Sequence, residues 1–337
     1  MNIDSISELI PNTILTKNEL QDISMCKVVL FDLETTGLSK NDEISQIAAY
    51  TKESSYDMYI IPSKGISKGA SAVTGLHGLN GELYLRENRV QAVSASQAFQ
   101  QFLQYLDNFK RPIILAAHNG FRFDTPRIMK LACEVRLIDQ FKTLITGFAD
   151  TLHIARKLLP ERRKNKLKFS IEALATEFVP SQNLEALHNA TDDVITLQKI
   201  LDAVGITDEI IKKNTKTIQQ LLQEERNETT ISTNKESLKL FKENISASMI
   251  NKIAKAGLNK LMLQQAFEKG GCEETICKVH NTFTEAEFDA IVAYMLSEWL
   301  RFAKQRTGRQ TQKKAAMLAV PTAPAAQIAP IAEKNNN

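Results

Sequence analysis

Lys27-Val28-Val29-Leu30-Phe31 runs without a break into Asp32-Leu33-Glu34-Thr35-Thr36-Gly37. A short apolar run of β-branched and aromatic residues, stopped by acidic residues and a glycine, predicts a buried central strand. The rest of the fold has to be built around it. Two more strands are expected at Ile44 to Tyr50 and Ser55 to Ile61, turned into a hairpin by the polar stretch Thr51 to Ser54. A loop rich in Gly and Ser then runs to about residue 80. Ala98, Phe99, Phe102, Leu103 and Leu106 fall at helical spacing, which predicts a helix over Ser94 to Phe109, and the apolar run Pro112 to Ala117 predicts the next strand. Further helices are expected at Thr125 to Val135, with Pro126 in its first turn, then His153 to Leu159, Ser170 to Phe178 and Ala190 to Val204, the last ending at Gly205. A short strand falls at Phe148 to Leu152. Three strands followed by alternating helix and strand predict an α/β sheet of mixed direction.

A length of 337 residues suggests two domains. With 43% hydrophobic and 24% charged residues, wholesale disorder is excluded for most of the chain. The expected division is an N-terminal extension at 1–26, the sheet domain at 27–205, a helix and polar linker at 206–236, a small helical domain at 237–305 and a disordered tail at 306–337. The linker contains a helix over Asp208 to Glu225 and a polar break from Arg226 to Lys235. Short helices are expected at Ser246 to Ala256, Lys260 to Phe267 and Glu285 to Phe302.

The formal charge of +3 argues for no particular partner. No stretch reaches the roughly 18 apolar residues of a membrane span, so no membrane role is expected. The N-terminus carries no basic and apolar signal pattern, and four cysteines, Cys26, Cys133, Cys272 and Cys277, are too scattered for a disulfide framework. The expected location is intracellular, in cytoplasm or nucleus, and not secreted. Cys272, Cys277 and His280 offer three zinc-type ligands without an evident fourth.

Asp32 and Glu34, two apart on a strand, point to one face. Two carboxylates so placed repel unless a hard cation bridges them; otherwise they form a solvated strand end. Asp124 follows the second apolar strand through Ala116-Ala117-His118-Asn119 and doubles as a candidate helix cap. His188-Asn189-Ala190-Thr191-Asp192-Asp193 places an imidazole and a carboxylate across a helix start, the imidazole on a loop within reach of a water. Arg162, Arg163, Lys164, Lys166 and Lys168 concentrate five cations in seven residues, either an ordinary solvated run or a contact for phosphates.

Together these segments resemble the three motifs of the DEDDh 3′-to-5′ exonucleases, a family of the ribonuclease H-like superfamily. Asp32 and Glu34 match its Asp-x-Glu motif, Asp124 with His118-Asn119 the second, and His188 with Asp193 the His-x-Ala-x-x-Asp motif. Val73 to His77 and Asp150 to Leu158 also resemble family segments, so the likeness covers about residues 26 to 204. It implies a ribonuclease H-like sheet flanked by helices, and two Mg²⁺ or Mn²⁺ ions held by Asp32, Glu34, Asp124 and Asp193. His188 is implied as the base, an imidazole having an ordinary pKa near ~6.5. Thr35, Leu38, His118, Asn119, Arg162, Arg163 and Lys164 are the expected substrate contacts, and the implied partner is nucleic acid with a free 3′ end, single strands favoured. The C-terminal helices are candidates for a protein partner or self-association. Two other readings compete with it. A non-catalytic nucleic-acid-binding scaffold on the same fold would leave the five residues idle. A haloacid-dehalogenase-like phosphatase would need a second Asp where Glu34 stands and leaves His188 unemployed.

Overall fold

The computed structural model describes residues 23–180, 187–242 and 246–268. The expected helix at Glu285 to Phe302, the group Cys272, Cys277 and His280, the tail at 306–337 and nearly all of the N-terminal extension lie outside the described residues.

The central strand is longer than its apolar part. β1 (Lys27–Thr35) carries its extended backbone through both carboxylates. It is flanked by β2 (Ile44–Tyr50), antiparallel, and β8 (Ile113–Ala117), parallel. With β3 (Ser55–Ile60), β7 (Ala92–Val93), β9 (Ile145–Asp150) and β10 (Lys216–Thr217) they form a seven-stranded mixed sheet in the order β10-β9-β8-β1-β2-β3-β7. β8 and β9 run parallel, so β1, β8 and β9 all end on one edge. This is the ribonuclease H-like fold.

Alternation along β1 loads both faces. Val29, Phe31 and Leu33 enter one core with Phe99, Phe102 and Leu106 of α2 (Ala95–Asp107), Ile128 of α3 (Asp124–Glu134) and Phe141 of α4 (Ile138–Leu144). Val28 and Leu30 enter the other, against Ile154 of α5 (Thr151–Leu158), Leu174 of α7 (Ile171–Phe178) and Val194, Leu197 and Leu201 of α8 (Ala190–Val204). Fully burying each such side chain contributes about 1.5–3 kcal/mol. Between α5 and α7 lies the short α6 (Pro160–Lys164), opened by its proline.

Several expectations are revised. The Gly and Ser loop before residue 80 holds α1 (Lys68–Thr74), capped by Ser67, whose side chain accepts from the Ala70 amide. A small sheet follows, β4 (Leu76–Leu79), β5 (Glu82–Leu85) and β6 (Asn88–Arg89), turned by Asn80-Gly81 with φ of 52° and 80°, the left-handed geometry an Asn-Gly hairpin supplies. β9 starts earlier than the apolar pattern suggested, because it pairs with β8 from Ile145 onward, and Gly147 lets β10 come close on its other side: a Cβ there would meet the Lys216 carbonyl at 2.3 Å. The expected helix over Asp208 to Glu225 is split. α9 (Asp208–Lys213) stops, Lys216 and Thr217 pair with Phe148 and Gly147, and α10 (Ile218–Ser237) begins. α10 continues through the expected polar break because only one stripe needs apolar contact: Leu222 is buried early in it, and Ile231 and Asn234 pack later.

The chain divides between Arg226 and Asn227. In the second unit, α11 (Ala247–Lys255) and α12 (Lys260–Glu268) surround a small core of Leu238, Phe241, Ile250, Ile253 and Leu258. No described helix is long and apolar enough to cross a membrane.

Candidate active site

Val28 and Leu30 face the α8 layer, and a period of two puts Asp32 and Glu34 on that same face. β1 leaves its pairing with β8 at Leu30, and its register with β2 shifts between Glu34 and Thr35. The unpaired extra residue is Ser45 of β2, so the irregularity falls opposite the end of β1, just past both carboxylates. Asp193 stands in the first turns of α8, and its oxygens gather with those of Asp32 and Glu34, all within 4.8 Å of one another. Asp124 comes from the opposite layer, in the first turn of α3; it is 1% exposed, and its Oδ1 is buried with no hydrogen-bond partner in the protein.

Burial is the largest influence on each of these acids, and their mutual repulsion adds to it for the strand pair. Asp32 is raised well above the ordinary Asp value by burial and then by Asp124, Asp193 and Glu34. Glu34 is pushed up to about 8 by burial, Asp193 and Asp124. Burial takes Asp124 to about 8 against the pull of backbone amides and Arg127, and takes Asp193 to about 6 against the amide and imidazole of His188. Crowded, partly desolvated carboxylate oxygens, one of them orphaned, are the donor set that hard divalent cations such as Mg²⁺ and Mn²⁺ take. The residues therefore fit the expected metal.

His188 is exposed, in the left-handed region at φ 71°, and its amide donates to Asp193 Oδ1 at 3.3 Å. The turn holding it is pinned to the sheet by Gln46, which is wholly buried. Its Oε1 accepts from the Ala190 amide at 3.2 Å, and its Nε2 donates to Asp57 at 2.8 Å and to the N-cap residue Asn189 at 3.5 Å. Asn189 in turn donates to the Tyr59 hydroxyl at 3.0 Å.

The expected substrate contacts divide. Leu38 stands out from the turn after β1 at 87% exposed. Arg163 and Lys164 are exposed on α6, Lys164 beside Glu161. Thr35 is buried, and its hydroxyl donates to the Gly37 carbonyl at 2.6 Å, so it shapes the turn instead of facing a ligand. His118 has both ring nitrogens engaged. Nε2 donates to the Phe169 carbonyl at 2.6 Å, which leaves Nδ1 to accept from Thr151 Oγ1 at 3.0 Å, and burial pushes the imidazole below its ordinary value. Asn119 adopts φ 64°, and its amide donates to Asp150 at 3.1 Å. Arg162 is 8% exposed; its guanidinium donates to the carbonyls of Lys168 and Ala173 and pairs with Glu177. It is spent inside the domain and is withdrawn as a phosphate contact.

Three positioning residues escaped the sequence reading. One is Gln46. Arg127 lies one turn after Asp124, at the helical spacing that could have flagged it; it donates to the carbonyls of Phe123, Leu38 and Ser39 and stacks 3.8 Å above the Phe123 ring. Asp150, buried, accepts from the amides of Asn119, Phe121 and Leu152, tying the approach to Asp124 to the start of α5.

Residues 26–177 match the family model described as the Exuperantia RNAse H-like domain. The DNA polymerase III PolC-type of Clostridium perfringens is 30% identical over 181 residues, 51% of this chain and 11% of that protein. The maternal protein exuperantia-2 of Drosophila pseudoobscura pseudoobscura is 25% identical over 144 residues, 39% of this chain and 30% of that protein. The chain thus spans less than a third of the length of these curated relatives. Among solved structures, E. coli exonuclease I in complex with a dA16 oligonucleotide aligns at 16% identity and a TM-score of 0.38, covering 66% of this chain and 46% of that one.

Proposed function

We propose that this chain is a metal-dependent 3′-to-5′ exonuclease of the DEDDh type acting on DNA or RNA, a reading supported by the match of residues 26–177 to a ribonuclease H-like family model and by the likeness to a PolC-type DNA polymerase III. The observation that carries the reading is the convergence of Asp32, Glu34 and Asp193 within 4.8 Å, with Asp124, whose Oδ1 is buried without a partner, supplied from the opposite layer. Single strands are the preferred substrate in this reading.

Asp32, Glu34, Asp124 and Asp193 would hold two Mg²⁺ or Mn²⁺ ions. When bound, such ions polarise the phosphate and lower the pKa of a bound water. The remaining work belongs to the protein. His188, on the exposed turn before α8, accepts a proton from the attacking water at a ring nitrogen. The water oxygen forms a bond to the terminal phosphorus, and the bond from phosphorus to the 3′ oxygen of the preceding nucleotide breaks. That oxygen takes up a proton and becomes the new 3′ hydroxyl, and the released nucleotide keeps its 5′ phosphate. Gln46 holds the N-terminus of α8 in register with β1, and Arg127 holds the Leu38 turn beside Asp124.

Incubation with 5′-labelled single-stranded DNA and RNA tests the reading. A shortening ladder that requires Mg²⁺ or Mn²⁺ and is lost in Asp193→Asn is the expected result. Oligonucleotides that stay intact while bound tightly would replace it with a nucleic-acid-binding scaffold.

A further inference from the structure

Away from the carboxylates, α5, α6 and the turn after α6 enclose a concavity of about 500 Å³ lined by His153, Arg156, Lys157, Arg163 and Lys166, with Leu167 and Phe169. No acidic residue lines it among the described residues. The buried carboxylate of Asp150 beside His153 is engaged with that ring at 3.1 Å and with backbone amides. Aromatic faces accompany the cations. Phe169 is 8% exposed, with Arg156 5.8 Å and Arg162 5.6 Å from its ring, and His153 packs on Phe121, outside the lining, with ring centroids 5.7 Å apart. Cations gathered without a carboxylate among them make a surface suited to the phosphates of a nucleic-acid strand, the buried Phe169 ring holding Arg156 in place.

The concavity is also rigid and well placed. Arg162, engaged with Lys168, Ala173 and Glu177, fastens the turn that presents Arg163 and Lys166, and His118 fastens Phe169 to the end of β8. β8 neighbours β1, and β9, which leads into α5, neighbours β8. The pocket therefore lies over the same sheet edge as Asp32 and Glu34, two strands away, in the layer that carries Asp193. Two strand spacings are roughly 10 Å, about the length of three stacked nucleotides.

We propose that this concavity is an upstream subsite that grips the sugar-phosphate backbone of a single strand a few nucleotides before its 3′ end. The subsite rests on the exonuclease reading for the placement of that end. The test measures binding apart from cleavage: fluorescence anisotropy of 5′-labelled dodecamers of dT and rU with full-length Asp193→Asn protein in Mg²⁺, at several salt concentrations. Adding Arg163→Ala with Lys166→Ala should weaken binding about tenfold and flatten the slope of log Kd against log salt by about 1 to 1.5. Arg163→Lys with Lys166→Arg should restore both. A control with the same loss of charge, Lys110→Ala with Arg111→Ala just before β8 at the other end of that strand, should leave both unchanged. Unchanged affinity and slope in the pocket variant, or an equal loss in the control, overturns the subsite. A wild-type ladder beside unchanged pocket binding removes the subsite alone; lost pocket binding without a ladder removes the exonuclease reading alone.

Discussion

Asp124 and Asp193 should show the tension between function and stability most plainly. Asparagine at either position removes a metal ligand and should cut turnover by about a thousandfold, the several kcal/mol that a catalytic metal supplies. In metal-free protein at pH 8 the same substitution relieves repulsion and should raise the melting temperature, a pair of opposite effects read by gel assay and calorimetry. The pH dependence follows from the same acids. Glu34 and Asp124 titrate near 8 when folded against ordinary values of 4.5 and 3.8, so the folded state holds more protons across that window. The contribution of these two acids to metal-free stability is therefore full below about pH 4 and is lost as pH rises through about 8. Denaturant titrations in a chelator should show that decline, and a flat profile would contradict the charge crowding. All five motif residues were legible as residue types at spacings. Arg127 was legible only by its spacing from Asp124 and Asp150 only as the start of a family-like segment; what these two and Gln46 do depends on carbonyls and amides brought near by folding.

Among the elements, the helix packing of the first core should be the most costly to damage. Phe141 is fully buried, with Phe99 and Phe148 at ring-centroid distances of 5.5 and 6.2 Å. Phe141→Ala should cost about 3–5 kcal/mol in urea unfolding. Gln46→Ala leaves the Ala190 amide and Asp57 without a buried partner and should cost about 1–3 kcal/mol, together with a drop in turnover as α8 loosens. An unchanged turnover would show that α8 does not need that anchor. The apolar strands and the helices with a clear 3.6-residue stripe were readable from the chain. Ile138–Leu144 was missed because seven residues give too short a stripe, and the β4 to β6 sheet because its signal is one Asn-Gly turn. The split at Lys216 was invisible for another reason: a two-residue strand exists only by virtue of the glycine opposite it.

For the whole molecule, near-neutral charge conceals two opposite local fields, an acidic cluster and a basic concavity over one sheet edge. Mg²⁺ or Mn²⁺ at pH 8 should raise the melting temperature by several degrees and a chelator should reverse it, since an ion that binds only the folded state stabilises it by mass action. The effect should shrink at pH 5, where protons already occupy the acids. The four carboxylates also have an order in time. They sit on β1, α3 and α8, which are far apart along the chain, and only a finished sheet brings them together. During synthesis Asp193 leaves the ribosome roughly ten to thirty seconds after Asp32. A half-made chain therefore carries no complete site, and a cation that needs all four carboxylates has nothing to bind until α8 has docked.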